Sequence, residues 1–117
     1  MNIIEMTPGA KIPWQEEAGV LSLNGGELVI DLSARQADVQ AVVDVCFDRT
    51  GKLVEGYGEA YAVNILIPPR RYTEREEPGT DMNGDPVVNV VKEALPLDVK
   101  AVTLQLWGMT AIDNQAG

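Results

Sequence analysis

The chain has 117 residues and a mass of 12.7 kDa, with nine basic and eighteen acidic residues for a net charge of −9. That length holds one compact domain spanning 1–117, and 45% apolar with 23% charged residues excludes wholesale disorder. The longest charge-free stretch, Ala101 to Ile112, is twelve residues, short of the roughly 18–20 that a membrane helix needs.

Residues that are missing narrow the chemistry further. There is no histidine, which excludes Ser-His-Asp and Cys-His arrangements, an imidazole base and the commonest zinc ligand. Cys46 stands alone, so no internal disulfide and no CxxC motif exists. Neither a metal nor a cofactor is expected. The start, Met1-Asn2-Ile3-Ile4-Glu5, carries an early acid and lacks the order of a secretory signal; lone-cysteine usage fits a reducing compartment, and a cytoplasmic address is the default expectation. The first 48 residues hold two basic against eight acidic residues, and the remainder seven against ten. Such a surface repels nucleic acid and anionic membranes, and neither is an expected partner.

Taken in chain order, alternation comes first. Ile3-Ile4-Glu5-Met6 reads as a short strand, and residues 10–17, with Pro13 and Trp14, as a loop. Residues 20–32 predict a hairpin, because Asn24-Gly25 suits a type I′ turn whose two central residues need positive φ. A two-residue loop pairs Ser22 with Glu27, Leu21 with Leu28 and Val20 with Val29. Leu21, Leu23, Leu28, Ile30 and Leu32 then share the apolar face. Val39 to Phe47 alternates with period two and predicts the next strand. Asp48-Arg49-Thr50-Gly51 fits a type I turn with a following bulge. The returning strand starts at Lys52 and resumes at Tyr61, Val63, Ile65 and Ile67, with a bulge or sharp bend at Gly56-Tyr57-Gly58. Pro68-Pro69 stops it.

From Arg70 to Asp85 the alternation dissolves into a long exposed connection or a protruding hairpin. Residues 86–95 predict a short amphipathic helix. At about 100° per residue the apolar side chains separate from Asn89, Lys92 and Glu93. Asp85 is placed to cap it, Pro86 to open it and Pro96 to end it. A final strand runs from Val99 to Trp107, with Val102, Leu104 and Leu106 on one face, and residues 112–117 are expected to fray. The fold class is therefore mainly β (α+β): an antiparallel sandwich or open barrel of about five to six strands with one helix.

The candidate sites are few. Asp81-x-Asn83-x-Asp85 begins like a calcium loop, but Pro86 stands at the sixth position, where the sharp turn needs Gly, and Lys92 at the twelfth, where a bidentate Glu belongs, so a polar turn is expected. A three-residue loop after Asp48 would set Glu55 opposite Val45 on the apolar face, where burial raises a carboxyl pKa, whereas a four-residue loop or a bulge at Gly56 would turn it outward. Together with Glu59, Asp44 and Asp48 it is the one candidate for two-carboxylate chemistry. Arg70, Arg71, Tyr72 and Arg75 form the basic and aromatic cluster, suited to a protein contact or to internal pairing with Glu74, Glu76 and Glu77. Trp14 and Trp107 suit core or interface, with Trp107 the better interface residue. Cys46 shares a face with Asp44 and Asp48, which disfavours a thiolate and points to an inert thiol.

The expected function is a non-catalytic interaction or assembly module, self-associating or bound to a protein partner. By analogy it suits a subunit of a larger particle such as a prophage component. The alternative is a small carboxylate-dependent hydrolase or ligand-binding domain using Glu55 and Glu59.

Overall fold

Among the described residues pleated structure dominates, in three sheets of antiparallel and mixed pairing, none of which closes on itself. A computed structural model describes residues 1–109. The fraying expected at 112–117 lies outside the described residues. Five strands form the largest sheet: β1 (Asn2–Glu5), β5 (Ala41–Phe47), β6 (Leu53–Glu55), β7 (Ala60–Ile67) and β10 (Thr103–Leu106). Their spatial order is β1-β10-β7-β5-β6, with β1 parallel to β10 and the other pairs antiparallel. A second sheet has β3 (Val20–Leu23) between β2 (Trp14–Glu17) and β4 (Leu28–Asp31). Trp14 to Glu17, expected as loop, is therefore strand, since it finds a partner in β3.

The 20–32 hairpin shows how faces can survive a change of register. Asn24 and Gly25 both have positive φ, and the Gly26 N–H closes the turn on the Leu23 carbonyl at 3.2 Å. Gly26 and Glu27 extend the loop, so Leu23 pairs with Leu28 and Leu21 with Ile30. The two-residue offset from the expected pairing preserves parity. Leu21, Leu23, Ile30 and Leu32 are buried as the alternation requires. Asp31 then caps a single helical turn, α1 (Leu32–Arg35), accepting the Ser33 and Ala34 N–H groups.

Apolar faces of both larger sheets meet in one core. Leu21, Leu23 and Ile30 from the second sheet join Val43, Val45, Phe47, Val63, Ile65, Ile67, Leu104 and Leu106 from the first. Val102, Leu104 and Leu106 are buried as expected, though a 3-10 turn occupies Val99–Ala101 ahead of β10. The returning strand after Gly51 is two strands, because β6 and β7 lie on opposite sides of β5. Gly56 to Glu59 is thus a crossing segment, with Gly58 passing so close that a Cβ there would sit 2.6 Å from Cys46 Cβ.

One sequence expectation fails outright. Residues 86–95 do not form a helix; Pro86–Ala94 is strand β9, paired along its length with β8 (Tyr72–Thr80). Separation of apolar and polar residues stabilises a helix only when the apolar side has a surface to bury against. Among the described residues the core takes nothing from this segment, and four valines favour a pleated backbone. The deciding contact is the turn at Asp81-Met82-Asn83-Gly84-Asp85, which repeats the design of Asp48-Arg49-Thr50-Gly51-Lys52. In both, the Gly N–H bonds the first Asp carbonyl at 3.0 Å. In both, that Asp Oδ1 accepts the N–H groups two and four residues on. Asp85 consequently pairs with Asp81 and caps no helix. The protrusion expected at 70–85 is the first half of this longer hairpin.

Candidate interaction surface

The β8-β9 hairpin gives the molecule its shape. The described residues span 79 × 21 × 21 Å with a radius of gyration of 20.5 Å, where compact packing at this size gives roughly 13 Å. Strands of nine residues extend about 30 Å each. Residues 70–95 supply nothing to the described core.

The basic and aromatic cluster divides by role at the root of this arm. Arg70 reaches back to the body, its Nη2 donating to the Gln36 carbonyl at 2.9 Å and its Nη1 pairing with Asp38 at 3.3 Å. The Tyr72 hydroxyl donates to the same Asp38 oxygen at 2.6 Å, and the Arg70 N–H to the Ala37 carbonyl at 2.7 Å. These two side chains clamp the arm to the segment after α1. Arg75 pairs with Glu77 at 2.7 Å and Glu93 at 2.6 Å, so it is engaged inside the hairpin. Arg71 is exposed and, among the described residues, makes no ion pair. Towards the tip, Val88 and Val90 are 62% and 61% exposed on the face that also carries Pro78 and Pro86.

Trp107 lies elsewhere, on the outer face of the five-stranded sheet. Its ring stacks on Tyr61 with centroids 5.2 Å apart, and its Nε1 donates to Asn64 Oδ1 at 2.6 Å. Asn64 in turn donates to Asp44 Oδ1 at 2.9 Å. Sequence reading missed Asn64 because a buried polar residue inside an apolar strand looks like any other outward position. The arrangement satisfies a buried amide. Trp14 packs against the core.

The carboxylates do not converge. Of the two loop lengths open to this turn, the three-residue one forms and sets Glu55 opposite Val45. The Glu55 side chain nevertheless stays half-exposed, held by Arg35 through a two-pronged bond of 2.9 and 2.5 Å. Arg35 pulls its carboxyl pKa below the ordinary value, opposite to the rise that burial would cause. Asp48 is committed to its turn, where the Thr50 hydroxyl and backbone N–H groups lower its pKa. Glu59 makes a loose 3.7 Å pair with Arg49 and lines an open groove of about 450 Å³ with Asp44, Cys46, Tyr57 and Tyr61. Burial, then the Asp44 charge, pushes the Cys46 thiol up. Among the described residues no three potential ligand side chains are grouped to hold a metal ion. Nor is any helix there long and apolar enough to cross a membrane.

Comparison with protein-family models, with curated proteins and with solved structures found no match for this chain.

Proposed function

We propose that the chain is a non-catalytic interaction and assembly module whose contact element is the hairpin at 70–95. In this reading the two larger sheets form a β-sandwich that serves as a mount, working in the cytoplasm as a self-associating subunit of a larger particle, such as a prophage component. The carrying observation is an arm that leaves the body, contributes nothing to its described core and exposes Val88 and Val90. An isolated two-stranded hairpin is marginal in water and gains independent stability from a third strand or a packed surface. Arg70 and Tyr72 support the arm at its root, and Arg71 remains available for contact with a partner protein.

Sedimentation velocity over a wide concentration range tests this. The expected result is a mass that rises with concentration. Replacing residues 72–94 by a short turn between Arg71 and Leu95, which already pair through a 2.8 Å backbone bond, should abolish the rise and leave melting of the body intact. A strict monomer that also captures no partner protein would sink the reading.

One observation favours a second reading: the groove bearing Glu59 has the volume of a small-ligand site. A ligand-binding or hydrolytic role there predicts that Glu59→Gln abolishes binding while Glu55→Gln, held by Arg35, leaves it unchanged.

A further inference from the structure

The two outer edges of the hairpin are not equivalent. Hydrogen bonds inside it use odd-numbered residues: the Asp81 N–H donates to the Asp85 carbonyl at 2.9 Å near the tip, and the Leu95 N–H to the Arg71 carbonyl at 2.8 Å at the root. The alternate pairs of an antiparallel ladder turn their backbone groups outward. On β8 those are the even-numbered residues from Tyr72 to Thr80, and on β9 those from Pro86 to Ala94. The β8 edge is guarded: Pro78 has no N–H to offer, and Glu74 and Glu76 stand beside it, the devices that keep edges from pairing. The β9 edge presents an unbroken run of outward N–H groups at Val88, Val90, Lys92 and Ala94. Only one of those four side chains is charged.

Charge is also polarised along the arm. Arg70 and Arg71 sit at the root, Asp81 and Asp85 at the tip. Among the described residues neither Arg71 nor Asp85 makes an ion pair.

We propose that the β9 edge pairs antiparallel with the β9 edge of a second copy, across a twofold axis at Val90, merging two hairpins into one four-stranded sheet. This rests on the assembly reading and names its partner. The axis sets Val90 beside its own copy, Val88 beside Lys92 and Pro86 beside Ala94. Four valines then meet on one face. The antiparallel crossing lays each acidic tip along the other copy's basic root, with Asp85 next to Leu95 and Arg71 one strand further in. Hairpins aligned in the same direction would instead stack root on root and tip on tip. Moving the axis to Lys92 would oppose two ammonium groups, and moving it to Val88 would shorten the ladder. The pairing is isologous and closed, and four strands exceed the three that stabilise a sheet in water. The interface is small, so dimerisation is expected on the order of micromolar concentrations.

Two prolines at matched positions give the test. Val90→Pro and Glu76→Pro each remove an outward N–H and no bond inside the hairpin, as Pro78 and Pro86 already do. Sedimentation should show wild type moving from monomer to dimer. Val90→Pro, which deletes two symmetric bonds per dimer, should weaken the dimer roughly tenfold or more. Glu76→Pro should leave it unchanged. Independently, Val90→Cys should form a disulfide-linked dimer on mild oxidation and Val88→Cys should not, because only residue 90 meets its own copy within disulfide range. Equal loss in both proline variants overturns the β9 assignment, and crosslinking through Val88→Cys alone overturns the axis at Val90. Particles larger than a dimer overturn the twofold. A dimer that ignores Val90→Pro, with no Val90→Cys crosslink, sinks this inference and leaves self-association standing. A monomer at every concentration sinks both.

Discussion

Changing Trp107 to Phe isolates one hydrogen bond from the stacking around it. Phe keeps most of the ring contact with Tyr61, while the Nε1 donor to Asn64 Oδ1, 2.6 Å away, disappears. Asn64 is only 8% exposed, so its carbonyl oxygen is left buried without that partner. Stranding such a group costs about 1–3 kcal/mol. With an unfolding entropy of about 2.1 cal/mol/K per residue, each kcal/mol lowers the melting midpoint of this chain by roughly 4 °C. Calorimetry should therefore show a drop of about 4–12 °C. In an Asn64→Leu background the same change should cost far less, because both partners are then gone and no acceptor is stranded. Self-association should be untouched. Melting within a degree of wild type, coupled with lost association, would refute the reasoning and make Trp107 a contact residue after all.

Three further outcomes are expected. Gly58→Ala places a Cβ 2.6 Å from Cys46 Cβ and 2.8 Å from the Phe47 carbonyl oxygen. It should cost about 1–3 kcal/mol in urea unfolding, and a neutral result would mean the crossing segment yields freely. The Cys46 thiol, raised first by burial and then by the Asp44 charge, should react slowly with a disulfide reagent at pH 8 until urea opens the fold; immediate labelling of the native chain would contradict its burial. Glu55, lowered by Arg35 from an ordinary 4.5, contributes stability that is present above that value and lost as pH falls through the lower folded value. Glu55→Gln should therefore flatten the acid limb of the stability profile below that value, slightly, since the pair is half-exposed; an unchanged limb would show that the pair contributes nothing.

Local rules were legible wherever a turn named its own geometry and the flanking strands had a core to meet. Asp48-Arg49-Thr50-Gly51 announced its turn, and the register with Val45 opposite Glu55 is one of the two that turn allowed. The 20–32 hairpin slipped by two residues yet kept its apolar face, because parity, not absolute register, decides burial. What stayed hidden was every relation carried by distant residues. Nothing near Glu55 announces Arg35, twenty residues away. Nothing near Lys52 reveals that β6 and β7 flank β5 instead of continuing each other.

The misreading of 86–95 has a cause that bears on function. Periodicity reports the surface against which a segment packs, and a buried strand shows its period of two because one side meets a core. Strand β9 meets none of the described core, so its valines at 87, 88, 90 and 91 obey no inward and outward alternation. A helical wheel then sorts them by accident of spacing. Only the Asn83-Gly84 turn, with the Tyr72–Thr80 partner it brings alongside, overrides the wheel. If β9 answers to a second copy, apolar side chains on both of its faces are what pairing would use: Val88 and Val90 gather with their counterparts on one side, while Val87 and Val91 sit beside the partner's Glu93 and Asn89 on the other. A strand patterned for a neighbouring molecule is ambiguous when read alone, and that ambiguity coincides here with the less guarded of the hairpin's two edges.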